Sequence, residues 1–272
     1  MNDTPFAPAD HSGSECWVPL RLAPNSTLRL ICFPYAGAGA AAFTRWVKHL
    51  PPSWDLVALQ LPGRAARCGA PPLHDFALAQ EEAWQQLPVW LDRPSILLGH
   101  SLGAIMAYEA ARRWLETDAA GATARLKALV VSACIAPKYW PTDRGRALAR
   151  LDRAGLVEAL RQYNGMPPEV FDDDDVLDML LPSLKADFDL VASYRYRGAA
   201  SLSAPILALH GADDPHVNGA RLPAWADETS DSLVIVQCEG DHFFFERQEG
   251  AVMQLMIERL RAQVNPSEVG TR

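Results

Sequence analysis

Six short apolar runs, separated by stretches of helical periodicity, constrain the fold of this chain more than any other feature. They are LRLICFP (28–34), DLVALQL (55–61), SILLG (95–99), KALVVSA (127–133), APILALHG (204–211) and SLVIVQC (232–238). Most are apolar throughout rather than alternating, as strands covered on both faces must be. Helical patterns fall near 40–50, 75–91, 102–116 and 219–228, with a last one near 250–263. Such alternation predicts an α/β fold with a mostly parallel central sheet flanked by helices. WVPLRLA at 17–23 adds an antiparallel edge strand to that reading. With 272 residues and 49% hydrophobic content, the chain can bury one large core without staples. That core spans 16–136 and 196–264, and residues 1–15 and 265–272 read as mobile tails.

One stretch interrupts the rhythm. Between the runs at 127–133 and 204–211 lie about seventy residues without a strand pattern, where a crossover needs only about a dozen. Helical patterns occupy 152–163 and 173–194 within it. The acidic run Asp172, Asp173, Asp174 and Asp175 opens the second, where acids complement the helix dipole. Segment 137–195 therefore reads as a helical lid over the sheet, of the kind that forms pockets and gates.

Charge and cysteine usage narrow the function classes. The net charge of −8 argues against non-specific nucleic-acid binding. The amino end lacks both a basic region and an apolar region of the secretory type, and no apolar run approaches membrane-spanning length. The five cysteines, at 16, 32, 68, 134 and 238, form no C-x-x-C pair. Their odd number and wide spacing favour buried free thiols in a reducing compartment, hence a cytoplasmic protein with neither nucleic acid nor membrane as partner.

The sharpest chemical signal is Gly99-His100-Ser101-Leu102-Gly103, which follows the apolar run SILL and opens the helical pattern AIMAYEAARRW. A nucleophilic serine exposed on a strained strand-to-helix turn needs that context, with small residues two before and two after. Serine also needs a base, and the base an orienting carboxylate. Downstream, Gly211-Ala212-Asp213-Asp214-Pro215 and Gly240-Asp241-His242-Phe243-Phe244 each follow a strand's carboxyl end. All three loops then meet on the edge of the sheet where open α/β sheets bind ligands. His242 is the expected base. Asp213 and Asp214 compete for the acid, and the Gly-x-x-Asp turn before proline favours Asp214. His216 is the rival base; His100 faces the wrong way inside its turn, His210 reads as a core residue, and His11, His49 and His74 suit surface roles. An oxyanion requires two preorganised backbone donors. The Leu102 N–H supplies one, and the Ala36 N–H, in the small-residue loop Tyr35-Ala36-Gly37-Ala38-Gly39, the other. Nothing has metal-ligand spacing, and the chemistry requires no cofactor. A carboxylesterase or lipase, or a ligand-binding scaffold without turnover, could share these residues.

Several segments together resemble the type II thioesterases of polyketide and non-ribosomal peptide assembly lines, within the α/β-hydrolases. They are FPYAGAGAAAFTRW (33–46), LPGR (61–64), GHSLGA (99–104), LKADFDLVASYRY (184–196), PILALHGADDP (205–215), Trp225 and GDHFFF (240–245). The resemblance implies hydrolysis of aberrant or stalled acyl groups from the phosphopantetheine arm of acyl or peptidyl carrier proteins. It implies Ser101 as nucleophile, Asp214 as acid, His242 as base, and Ala36 and Leu102 as oxyanion donors, in a monomer. It also implies a lid that shapes the acyl pocket. The chain departs from the family at Ala38, Ala65, Ala70 and Asp241, and Arg64 of the LPGR segment is left without a role. Carrier proteins are acidic, so docking falls to a local patch such as Lys138, Arg144, Arg146 and Arg150, which a solvated surface would equally explain.

Overall fold

The structure, a computed structural model, describes residues 16–163, 165–198 and 200–264, and the expected tails at 1–15 and 265–272 lie outside it. Seven strands form one sheet: β1 (Trp17–Arg21), β2 (Leu28–Phe33), β3 (Trp54–Leu59), β4 (Ser95–His100), β5 (Leu126–Ser132), β6 (Ile206–Gly211) and β7 (Leu233–Cys238). Their order is β1-β3-β2-β4-β5-β6-β7. Only β1 runs antiparallel, against β3, and the six apolar runs are the six parallel strands. Every residue of β2, β3 and β4 is buried. Successive side chains point to opposite faces, so both faces of the central sheet are covered. Each fully buried leucine or isoleucine there contributes about 1.5–3 kcal/mol from burial. The edge strand β7 instead mixes half-buried and exposed positions.

The covering helices are α1 (Phe76–Gln86), α2 (Leu102–Thr117), α3 (Ala119–Arg125) and α8 (Glu249–Val264), with α4 (Asp143–Leu148), α5 (Arg153–Tyr163) and α6 (Asp174–Ser193) between β5 and β6. A short α7 (Phe244–Arg247) follows β7. Two expected helices, near 40–50 and 219–228, are 3-10 helices, Ala40–Lys48 and Gly219–Glu228. Their buried residues explain why. Ala40, Phe43 and Trp46 in the first, and Leu222, Trp225 and Glu228 in the second, recur every third residue. That is the period of the tighter helix, whose side chains align at i and i+3.

The insertion carries its own small apolar cluster, built from Leu148, Leu156, Leu160, Leu177, Leu181, Leu184 and Phe188. The acidic run caps α6: the Asp173 side chain accepts from the N–H groups of Asp175 and Val176. In the sheet, the buried Arg29 of β2 is satisfied by Asp55 of β3 at 3.0 Å and by the Trp90 carbonyl at 2.7 Å. No helix among the described residues is long and apolar enough to cross a membrane.

Candidate active site

Parallel pairing aligns the carboxyl ends of β2, β4, β6 and β7, and the loops that follow them converge on one edge. The turn after β4 is the most constrained. Ser101 has φ +54° and ψ −116°, a conformation that non-glycine residues rarely hold and that costs on the order of 1–3 kcal/mol. It is held by the Ser101 N–H donating to the Ser132 carbonyl of β5 (2.8 Å) and the Ser101 carbonyl accepting from Ala104 N–H (3.0 Å). The flanking glycines are required by close approach. A Cβ on Gly99 would lie 2.0 Å from the Gly103 carbonyl oxygen, and one on Gly103 would lie 2.1 Å from that of Phe33. The two glycines thus let β4, α2 and the β2 loop close around the serine. Leu102 begins α2, so its N–H is among those a helix leaves without an i−4 carbonyl.

The loops after β6 and β7 bring Asp214 and His242 together. His242 Nδ1 lies 2.7 Å from Asp214 Oδ2, with both side chains buried. The other carboxylate oxygen, Oδ1, accepts from the His216 N–H at 2.8 Å. Burial opposes the charge on Asp214, but the hydrogen bond and positive potential of His242, with the His216 N–H, hold its carboxyl below the usual range. A carboxylate can only accept, so Nδ1 carries a proton, and in the neutral ring Nε2 then presents a lone pair. Asp213, its competitor, is exposed.

The remaining histidines separate clearly. His216 lends only its backbone to Asp214; its ring stacks on Tyr163 at 4.1 Å. Burial, then the nearby His242 and Arg144, lower its pKa to about 4. His100 is fully enclosed, with Nδ1 2.9 Å from Ser132 Oγ, and burial followed by His242 lowers its pKa to about 3. His210 is half-buried against the Gly211 carbonyl. His49 and His74 pair with Glu249 and Asp189, and His11 lies outside the described residues.

Ser101, Leu102, Ala36 and His242 all line one cavity of about 360 Å³. Its far walls are mostly apolar and come from the insertion, with Leu148, Leu160, Leu184 and Phe188 among them. Ala36 occupies the second position of a four-residue turn, closed by the Ala38 N–H donating to the Tyr35 carbonyl at 3.0 Å. Gly37, in the third position, has φ +84°, as a type II turn demands.

Two residues escaped the sequence reading. Asp187 of α6 accepts a two-pronged bond from Arg64, at 2.6 and 2.7 Å, and the Gly37 N–H at 2.7 Å. The signal was available in part: Asp187 shares the buried face of α6 with Leu184 and Val191, and a lone acid on an apolar stripe requires a partner. Of the basic residues at the start of the insertion, Lys138 pairs with Asp227 and Arg146 with Asp143, and Arg144 stacks over Tyr163 at the cavity. Arg150 is exposed.

Comparison with known proteins identifies the family of this chain. The gramicidin S biosynthesis protein GrsT of Aneurinibacillus migulanus is 32% identical over 245 residues, covering 88% of this chain and 91% of its own. The thioesterase PikA5 of Streptomyces venezuelae is 32% identical over 227 residues, covering 83% and 78%. Among solved structures, the type II thioesterase BorB from the borrelidin biosynthetic cluster superposes with a TM-score of 0.79 at 32% identity, over 90% of this chain and 97% of that one. Residues 28–260 match the model of the thioesterase domain, so the sheet, its strained serine turn and its cavity belong to a member of the thioesterase domain family, a hydrolase of thioesters.

Proposed function

We propose that this enzyme removes aberrant or stalled acyl groups from the phosphopantetheine arm of carrier proteins in polyketide or non-ribosomal peptide synthesis. The observation that carries the chemistry is the 2.7 Å pairing of Asp214 with His242 at the cavity that Ser101 also lines. Ser101 Oγ attacks the thioester carbonyl carbon as His242 Nε2 takes its proton. The oxyanion is met by the N–H groups of Ala36 and Leu102. The tetrahedral intermediate then collapses, the carbon–sulfur bond breaks, and the imidazolium returns its proton to the leaving thiolate. Water, deprotonated by His242, repeats the attack on the acyl-Ser101 ester; the carbon–oxygen bond to Ser101 breaks, the imidazolium returns its proton to Ser101 Oγ, and the carboxylic acid is released.

The apolar walls suit an acyl chain, and segment 137–195 acts as the lid that shapes its pocket. Membership in the family of GrsT, PikA5 and BorB supports carrier-bound substrates, and the free buried thiols of Cys32, Cys134 and Cys238 fit action in the reducing cytoplasm. One chain holds every residue of this machinery, which supports action as a monomer. The test is single-turnover hydrolysis of acetyl-, malonyl- and octanoyl-carrier proteins beside the matching coenzyme A thioesters and p-nitrophenyl esters. Carrier-bound thioesters are expected to be cleaved fastest, with Ser101→Ala slower by on the order of 10⁴-fold or more. Cleavage confined to p-nitrophenyl esters would leave an esterase instead.

A further inference from the structure

The Arg64–Asp187 pair lies outside the proposed reaction, yet it joins two parts of the molecule that the reaction needs. Asp187 is 1% exposed, on the α6 helix that walls the cavity. Arg64 sits in the loop after β3, and its guanidinium also donates to the Ala38 carbonyl at 2.9 Å. Asp187 Oδ2 takes the Gly37 N–H. The pair therefore grips the turn 35–38 at two points, the N–H of its third residue and the carbonyl of its fourth.

The Gly37 grip has a specific consequence. In a type II turn the central peptide can flip to the type I orientation, which would direct the Gly37 N–H away from its present acceptor. A buried carboxylate accepting that N–H opposes the flip, because flipping would aim the Ala36 carbonyl at negative charge. A second contact links the same elements: a Cβ on Gly37 would lie 2.7 Å from Leu184 Cδ1, so α6 rests directly against the turn. Leu184 is itself part of the cavity wall.

We propose that Asp187, held by Arg64, is a positioning residue that ties the acyl-cavity wall to the turn bearing the Ala36 N–H. This rests on the reading of Ala36 as an oxyanion donor. The wall and the donor then move as one body, and the donor is set before substrate arrives.

The test uses two variants with octanoyl-carrier protein as substrate. Asp187→Asn removes the charge but leaves Arg64 buried without its partner, which can unfold the chain. The double variant Arg64→Met, Asp187→Leu replaces both by apolar groups of similar size, a change that buried ion pairs often tolerate. The double variant is expected to keep a cooperative melt and a KM within about threefold of wild type, while kcat falls about tenfold or more. Affinity for an octanoyl trifluoromethyl ketone, which forms an oxyanion on the serine, should fall in parallel with kcat. A folded double variant with unchanged kcat and unchanged ketone affinity overturns the proposal. Ser101→Ala run alongside separates the two readings: if it retains full activity, the Ser101 mechanism itself has failed, whatever the double variant does.

Discussion

The sheet edge and the helical insertion contribute differently to one cavity. At the edge, the proposed catalytic residues Ser101 and Asp214 follow strands whose residues are almost all buried, His242 follows the more open β7, and the serine turn is further fixed by backbone bonds such as Ser101 N–H to the Ser132 carbonyl. The insertion has seven buried apolar residues in a cluster of its own, and it joins the main core through Leu190, Val191 and Tyr194 at the end of α6 together with polar ties such as Arg64–Asp187 and the Phe76 N–H on Ser193 Oγ. The proposed chemistry, which tolerates little misplacement, is built on the sheet edge, and most of the apolar lining proposed to take the acyl chain is built on the insertion. The two can change separately, which suits a family whose members act in many pathways.

The largest effect should come from breaking the rigid side. Asp214→Asn is expected to lower kcat by about 10³–10⁴-fold, because the amide cannot hold His242 in the right tautomer. Asp213→Asn, one residue away but exposed, should stay within about twofold by the same steady-state assay. A reversal of that pair would move the acid to Asp213. Next comes stability. Leu98→Ala in β4, fully enclosed, should cost about 3–5 kcal/mol by urea denaturation, and Leu181→Ala in the insertion about 2–3 kcal/mol. Equal losses would mean that the insertion is as tightly packed as the sheet.

The most gradual effect concerns pH. The pKa of His100 falls from 6.5 to about 3 on folding, so between those values the unfolded chain binds the extra proton. Stability must therefore drop as pH falls below 6.5, by up to about 1.4 kcal/mol per pH unit from this fully buried group. His216, with a pKa of about 4, adds to the slope with the same sign, discounted because its ring is only half-buried. Asp214 has the usual sign for a carboxylate with a lowered pKa, adding stability above the unfolded value that is lost at lower pH still. Denaturation midpoints of wild type and His100→Asn across pH 4–7 check this, the variant giving the shallower slope.

Much of this was legible in the sequence for a physical reason. Strands buried on both faces must be apolar throughout, so β2 to β6 announced themselves to within a residue or two, and β7 did so by its apolar run although it lies at the more open edge. The serine turn was legible because Gly99 and Gly103 are demanded by atoms within about 2.1 Å. The 3-10 helices were misread because a three-residue apolar period resembles the i, i+3 half of a helical pattern, although Pro223 within the second hinted at it. Short helices α3 and α4 have too few turns to show a period. The Arg64–Asp187 tie was invisible as a pair because its members stand 123 residues apart, and only the single acid on the buried face of α6 marked its place.

Every bond change proposed above passes through the Ser101 hydroxyl, which a fluorophosphonate probe, followed by peptide mass spectrometry and labelling kinetics, would report. A single adduct on Ser101 is expected, absent in Ser101→Ala and much slower to form in Asp214→Asn. An adduct on another residue, or labelling unchanged in Ser101→Ala, would contradict it.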